Sequence, residues 1–162
     1  MAKLYFIVYT KYQIPNAKFL FISPHLHQVI AAEAAKYGLP ASKLIIKKGS
    51  RKEIPVLLSF SNHSLFFIKP CYSKLSSSPT KHGEIMAMGI PVITNSGVGD
   101  VKEIVQKYNG GFVADNFTTE TYSVIIDQIQ AGKAFDAALI RKGAFDVYSL
   151  EKAVELYTKL YD

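Results

Sequence analysis

Only one cysteine, Cys71, occurs among the 162 residues. An internal disulfide framework is therefore excluded, and the thiol usage fits a reducing cytoplasm. Cys71 reads as a buried free thiol following a strand and not as a nucleophile. Metal-ligand spacing is missing as well: His25 and His27 are two apart, while His63 and His82 stand alone, so no metal is expected. Long hydrophobic runs are also lacking. Residues 4–9 are too few for a signal-peptide core or a membrane span, and the apolar zone of residues 54–71 is interrupted by Ser59, Ser61, Asn62, His63 and Ser64, so no segment is expected to cross a bilayer. Nor does positive charge gather into a block. Only Lys47-Lys48 and Arg51-Lys52 lie close together, with no recognition helix, aromatic RNA-binding motif or zinc module beside them. Nucleic acid is not an expected partner.

The composition that is present describes a soluble globular chain. Hydrophobic residues make up 49% and charged residues 20%, which is enough for one domain, 1–162, with a sizeable core. The formal charge of +6 and a pI near 9.3 favour anionic ligands such as nucleotide phosphates, or an acidic membrane surface. A cytoplasmic protein, with peripheral association at the inner face of the membrane permitted by its charge, is consistent with both.

Hydrophobic patterning alternates between two periods. Residues 2–13 combine strand-like composition with helical spacing of Leu4, Ile7, Val8 and Lys11, and are assigned to a helix. Short apolar runs at residues 18–23, 43–47, 64–68, 91–94 and 111–113 predict buried strands. Between them the caps and stops predict helices from Ser23-Pro24 to Tyr37, over 52–60 with Ile54, Leu57 and Leu58 inward, over 79–88, and from the Gly99-Asp100 turn to about Lys107. Residues 118–131, 133–143 and 149–161 are read as three further helices whose apolar stripes, including Ala153, Leu156, Tyr157 and Leu160, are packing faces. Strands alternating with helices predict an α/β fold with a doubly wound, mostly parallel sheet and C-terminal helices. The pattern begins mid-unit, with a helix feeding the first strand, so the domain is expected to lack its first strand and to be truncated at the N-terminus.

The most informative stretch is Ser76-Ser77-Ser78-Pro79-Thr80-Lys81-His82-Gly83-Glu84, followed by a small-residue helix, Gly89 and the strand Pro91-Val92-Ile93. Ser78 is placed at the N-cap and Pro79 at the first helical position. A serine loop feeding a helix N-terminus offers backbone N–H groups and a positive dipole end to an anion. Lys81 adds a cation, and Glu84, three residues on, shares its helical face and can accept hydrogen bonds from hydroxyls. A capped surface helix with ordinary charges accounts for the same spacing. His82 is expected to face solvent. Asn95-Ser96-Gly97-Val98-Gly99-Asp100 forms a second loop, and Asp100 and Glu103 are expected as first-turn acids of the next helix. Both loops follow strand ends and precede helices, which places them on the rim where parallel α/β sheets bind ligands.

The run Ser78-Pro79-Thr80-Lys81, Glu84, Ala87, Gly89, Pro91-Val92-Ile93 and Gly97-Val98-Gly99-Asp100 resembles the donor-binding half of retaining GT-B glycosyltransferases, the glycosyl transferases group 1 family. Residues 15–20 also look like that family's second-strand segment. The likeness runs over about residues 14–130 and is most specific between 76 and 104. It implies a Rossmann-like domain, one half of a GT-B fold, that binds a nucleotide-diphosphate sugar for transfer of the glycosyl group to an acceptor hydroxyl. Glu84 is then expected on the ribose hydroxyls, and Ser77, Ser78, Thr80 and Lys81 near the diphosphate and sugar. Ser96, Gly97 and Val98 form the adjoining loop, and residues 48–53 lie toward the nucleobase. No metal or other cofactor is expected. Where the family often carries a first glutamate, eight residues before Glu84, this chain has Ser76. The acceptor-binding N-terminal domain is not represented, no catalytic residue is assigned, and the chain alone is expected not to transfer sugar efficiently. The reading from another class is a non-enzymatic module that binds a nucleotide or a partner through the same rim; a nucleotide-sugar epimerase would need carboxylates not found here.

Overall fold

The computed structural model describes residues 6, 7, 10, 13–24 and 27–161. They fall into two compact units, one of Met1–Ser61 with Asn116–Lys133 and one of Asn62–Asp115 with Ala134–Asp162. Each unit is built on parallel strands and helices.

In the first unit Phe6, Ile7, Thr10 and Gln13 are helical, as expected for residues 2–13; the remainder of that segment lies outside the described residues. Strand β1 (Phe19–Ile22) pairs in parallel with β2 (Leu44–Lys47), Phe19 beside Leu44 and Ile22 beside Lys47. A parallel pair needs a crossover, and helix α1 (His27–Lys36) supplies it. Helix α2 (Ile54–Ser59) is preceded by a reciprocal turn in which the Glu53 carboxylate accepts from the Ser50 N–H at 2.8 Å and the Ser50 hydroxyl at 2.6 Å. Ile54, Leu57 and Leu58 are its half-buried positions, as their spacing predicts. This unit's last helix, α5 (Thr119–Gln130), starts at Thr118, whose hydroxyl accepts from the Thr121 N–H, and buries Tyr122 edge-on against Phe6 at 5.1 Å between ring centroids.

The second unit holds a three-stranded parallel sheet in the order β3-β4-β5, formed by Ser64–Leu65, Val92–Asn95 and Gly111–Ala114. Every residue of the central strand β4 is buried. This explains why its sequence, Val-Ile-Thr, lacks the alternation of a half-exposed strand. Gly111 makes the β4–β5 pairing possible. Its φ is +142°, and a Cβ there would lie 2.0 Å from the Val92 carbonyl oxygen, closer than any side chain tolerates.

Four helices accompany this sheet: α3 (Thr80–Ala87), α4 (Val101–Lys107), α6 (Ala137–Tyr148) and α7 (Leu150–Thr158). Helix α3 ends in the Gly89 turn that the sequence predicts. The Gly89 N–H donates to Met86 at 2.8 Å and the Ile90 N–H to Ile85 at 3.3 Å, which satisfies carbonyls left over at the helix end. Helices α3 and α6 approach closely through glycine. The position of a Gly83 Cβ is filled by the Tyr148 ring, and that of Gly143 by Met86 and the Tyr108 ring. Around this seam Met86, Ile104, Tyr108, Ile140 and Ala144 form the core, with Phe135, Leu139 and Tyr148 against it.

Two helix expectations are corrected here. The segment read as a helix over 133–143 starts four residues later and runs on to Tyr148. Asp136 caps it, accepting from the N–H groups of Ala138 and Leu139, and Gly143 is tolerated inside it because Met86 and Tyr108 fill the space a side chain would take. Helix α7 begins at the expected Ser149 cap, but its stripe is not a packed face: Leu156, Tyr157 and Leu160 are all exposed. Local interactions hold the helix, including a pair of contacts from Lys152 and Lys159 to Glu155 at 2.7 and 2.9 Å. Among the described residues no helix is long and apolar enough to cross a membrane.

Candidate functional site

Beyond the ends of β3 and β4 lie the two loops singled out by the sequence, and they meet. The first, after Pro70, turns through a single 3₁₀ turn at Tyr72–Lys74 into the serine run. The second, Ser96 to Asp100, leads into α4. Their junction is backbone to backbone. The Lys74 carbonyl accepts from the N–H of Ser77 at 3.2 Å and from the N–H of Gly99 at 3.0 Å. Gly99, with φ of +48°, passes so close that a Cβ would lie 2.0 Å from the Ser77 carbonyl oxygen. An open cleft of about 470 Å³ results, lined by Leu75, Ser76, Ser77, Ser78, Gly99, Asp100 and Glu103.

A buried asparagine fastens the loops from beneath. Asn95 is the last residue of β4 and is 1% exposed. Its Oδ1 accepts from the Ile68 N–H at 2.8 Å, and its Nδ2 donates to the carbonyls of Ile68 at 2.9 Å and Ser96 at 2.8 Å. The side chain thus replaces a strand's peptide group, continuing the β3–β4 ladder past Leu65 into the serine loop. Asn95→Ala is expected to cost about 2 kcal/mol, because the Ile68 N–H and C=O lose their partner where water is scarce. Urea denaturation measures this; an unchanged midpoint would mean that the loop is held by other contacts.

The predicted site residues separate into three groups. Ser77 and Ser78 line the cleft. Thr80, Lys81 and Glu84 are exposed on the first two turns of α3, opposite the buried face made by His82, Gly83, Ile85 and Met86. Lys81 and Glu84 therefore share an open helical face, as their spacing predicts. In the second loop Gly97 is exposed and Ser96 half-buried, but Val98 is 1% exposed. Val98 belongs to the buried core, and the residue as a whole, backbone included, offers a ligand almost no surface. Residues 48–53 belong to the other unit.

Three local readings change. Ser78 is not the N-cap of α3. Pro79 occupies that position, with no side-chain cap and with its carbonyl accepting from the His82 N–H at 2.9 Å. His82 does not face solvent: it is fully buried, its ring packed on Phe66 and Tyr148 with centroids 5.7 Å away in each case. Burial pushes its pKa down to about 4, against a smaller opposing pull from Asp100. Cys71 is exposed, because β3 ends at Leu65 and Cys71 follows Pro70 in the loop. A hydrogen bond with the Ser73 hydroxyl draws its thiol pKa below the usual value.

Asp100 and Glu103 stand at the start of α4 as expected, but they also form one wall of the cleft. Their spacing in the sequence marks them only as helix-end acids. Asn95, at the end of a predicted buried strand, has no sequence signal beyond that of a loop's first residue; its role depends on the Ile68 backbone it meets. On the other side of Ser96 lies Asp115, whose ion pair with Lys102 at 2.6 Å holds its carboxyl below the usual range, with Ser96 adding a weaker hydrogen bond. Among the described residues no cluster of His, Cys, Asp and Glu is arranged to hold a metal ion.

Parallel sheets with flanking helices, and paired loops at the carboxyl ends of adjacent strands, define an α/β module of the Rossmann-like, GT-B type. The chain belongs to the glycosyl transferases group 1 family, whose model matches residues 7–144. Two GT-B structures share its fold. Sucrose-phosphate synthase from Thermosynechococcus elongatus matches with a TM-score of 0.62 and 18% identity over 98% of this chain and 42% of its own. AviGT4, a glycosyltransferase involved in avilamycin A biosynthesis, matches with a TM-score of 0.56 and 19% identity over 96% of this chain and 46% of its own. The chain thus spans less than half the length of either structure. No curated protein matches it in sequence.

Proposed function

We propose that this chain is the donor-binding part of a glycosyltransferase, holding a nucleotide-diphosphate sugar whose glycosyl group passes to an acceptor hydroxyl. The observation that carries the reading is the junction at Gly99. It fixes the serine loop and the glycine loop together, one turn of helix from an exposed Lys81 and Glu84. Each element has a distinct task. Glu84 accepts hydrogen bonds from the ribose hydroxyls. Lys81 and the backbone N–H groups at the start of α3 face the diphosphate, where the helix dipole favours negative charge.

Electrostatics separates the cleft from the phosphate subsite. Its lining combines the two acids Asp100 and Glu103 with Ser76, Ser77 and Ser78. Phosphates would be repelled there, while the hydroxyls of an uncharged sugar would find acceptors and donors. The carboxylate not present at Ser76 is thus offset by carboxylates on the facing helix. In transfer, negative charge grows on the departing diphosphate, and preorganised N–H groups with Lys81 lower the barrier by stabilising it. The acceptor, and the protein surface that presents it, belong to the remainder of a complete enzyme. Cytoplasmic location and peripheral contact with an acidic membrane are part of the same reading, supported by the net charge of +6.

The test is a thermal-shift and calorimetric series with UDP, GDP, ADP, CMP and their sugar conjugates. One nucleoside diphosphate is expected to stabilise the chain. Glu84→Ala should weaken that ligand by roughly 10- to 100-fold, the range for losing a charged acceptor. If no nucleotide produces a shift, the rim serves a partner and the donor-site reading fails.

A further inference from the structure

Half of the chain's formal charge sits in one short stretch of the first unit. Residues 47–60 hold Lys47, Lys48, Arg51 and Lys52 against a single acid, Glu53, a net +3 of the total +6. Lys47 ends β2, and the other three cations lie in the turn between β2 and α2. All four residues are exposed. The acid is already engaged, its carboxylate accepting from the Ser50 N–H at 2.8 Å and the Ser50 hydroxyl at 2.6 Å. Gly49 seats the turn. A Cβ there would lie 2.7 Å from Leu57 Cδ1, 3.3 Å from Ile54 Cδ1 and 3.4 Å from Ile22 Cγ2. The backbone is thus pressed onto the inner, apolar side of α2, and the cations on either side of Gly49 are left in the open.

The outer face of α2 continues this surface with apolar groups. Helical winding starts ahead of the helix, since the N–H groups of Ile54 and Leu57 donate to the carbonyls of Ser50 and Glu53 at 3.2 and 2.9 Å. Lys52, Val56 and Phe60 therefore follow one another at four-residue intervals along one face. Ile54, Leu57 and Leu58, on the other side, are half-buried. Val56 is 60% and Phe60 76% exposed, so neither serves the core. An exposed aromatic ring and a valine beside long cationic side chains suit a membrane interface, where cations reach lipid phosphates and the ring enters the headgroup boundary. A free phosphate would meet the cations alone. Val56 and Phe60 gain only from a partner that sets apolar surface next to negative charge, and an anionic bilayer supplies both.

We propose that the β2–α2 turn and the outer face of α2 form the surface by which this protein lies on an anionic lipid bilayer. The proposal rests on the membrane contact in the functional reading above and gives it a place; it does not depend on the donor site. Cosedimentation with phosphatidylcholine vesicles, with and without phosphatidylglycerol, tests it. The chain is expected to bind only the anionic vesicles and to be released by high salt. Replacing Lys47, Lys48 and Lys52 together by Gln should weaken binding by about 100-fold, at about fivefold for each cation. Lys36→Gln, Lys142→Gln and Lys159→Gln together remove the same charge from other exposed positions and should weaken binding far less. Phe60→Ala should weaken it by about tenfold with the charge unchanged. Equal losses in the two lysine variants would reduce the effect to net charge and overturn the proposal. So would full vesicle binding in Phe60→Ala, which would make the turn a general anion surface. Titration with UDP, GDP and ADP separates the two readings, because the resemblance turns residues 48–53 toward the nucleobase. Unaltered nucleotide affinity in the Lys47, Lys48 and Lys52 variant supports a separate lipid surface, whereas loss of nucleotide with vesicle binding retained overturns it. A parent chain that binds nucleotide but no vesicle rejects the membrane surface and leaves the donor site standing.

Discussion

Gly99→Ala is expected to abolish nucleotide-induced stabilisation, weakening binding by at least ~100-fold, the scale of losing a preorganised loop contact. Two costs coincide at this residue. Its φ of +48° is left-handed, and its missing Cβ would lie 2.0 Å from the Ser77 carbonyl oxygen and 3.0 Å from the Ser77 carbonyl carbon. Neither obstructing atom belongs to a side chain that could rotate away. The two loops must separate, which also stretches the 3.0 Å bond from the Gly99 N–H to the Lys74 carbonyl. A loss of ~3 kcal/mol in stability is expected from combined strain and a broken loop contact.

Gly97→Ala is the internal comparison. Gly97 also has a positive φ, +75°, but the nearest atom to its Cβ would be Pro70 Cβ at an ordinary 3.6 Å. Only the left-handed backbone term of about 1 kcal/mol applies there. Calorimetric titration and urea melts on both variants measure the contrast. Equal effects at Gly97 and Gly99 would show that left-handed geometry matters and the close approach to Ser77 does not.

Acid is expected to loosen the second unit before the carboxylates titrate. His82 is fully buried and its pKa is pushed down to about 4 from 6.5. Its neighbours are the Tyr148 phenol on α6, the Phe66 ring and, at longer range, Asp100 at the start of α4. Only Asp100 favours the charged form, and burial outweighs it. Between pH 6.5 and 4 the unfolded chain binds a proton that the folded chain refuses, so stability falls as pH drops through this window. The His82 contribution is flat above the window and reaches ~3 kcal/mol at its lower end, from 1.36 kcal/mol per unit of displacement. His63, half-buried between Phe112 and Phe135, is displaced in the same direction by burial and adds to the slope. Urea midpoints at pH 7 and pH 4.5 check this. His82→Gln, which keeps an acceptor for Tyr148 but cannot titrate, should retain only the His63 part of the slope. If the variant loses as much stability as the parent, the acid response originates elsewhere.

Local structure was largely legible in the sequence. Short apolar runs marked the strands at Phe19–Ile22, Leu44–Lys47, Val92–Asn95 and Gly111–Ala114. Gly89 stopped α3 and Ser149 started α7, because caps and stops act within a few residues. The open face shared by Lys81 and Glu84 also followed from spacing, since three residues on a helix bring two side chains to one side. Boundaries failed where distant packing decides them. Helix α6 runs through Gly143 because Met86 and Tyr108, from elsewhere in the chain, fill the gap.

The site divides along the same line. The sequence by itself determined that two polar loops follow adjacent buried strands, and that a lysine and a glutamate stand open on the helix between them. Only the tertiary structure decided what holds those loops. Asn95 reaches Ile68 across 27 residues and Gly99 closes on Ser77 backbone to backbone, while on the helix between the loops His82 is buried against Tyr148, 66 residues away. The reason is physical. A periodic pattern reports which side of an element is apolar, whereas a buried hydrogen bond or a missing Cβ has meaning only when the facing atom is known.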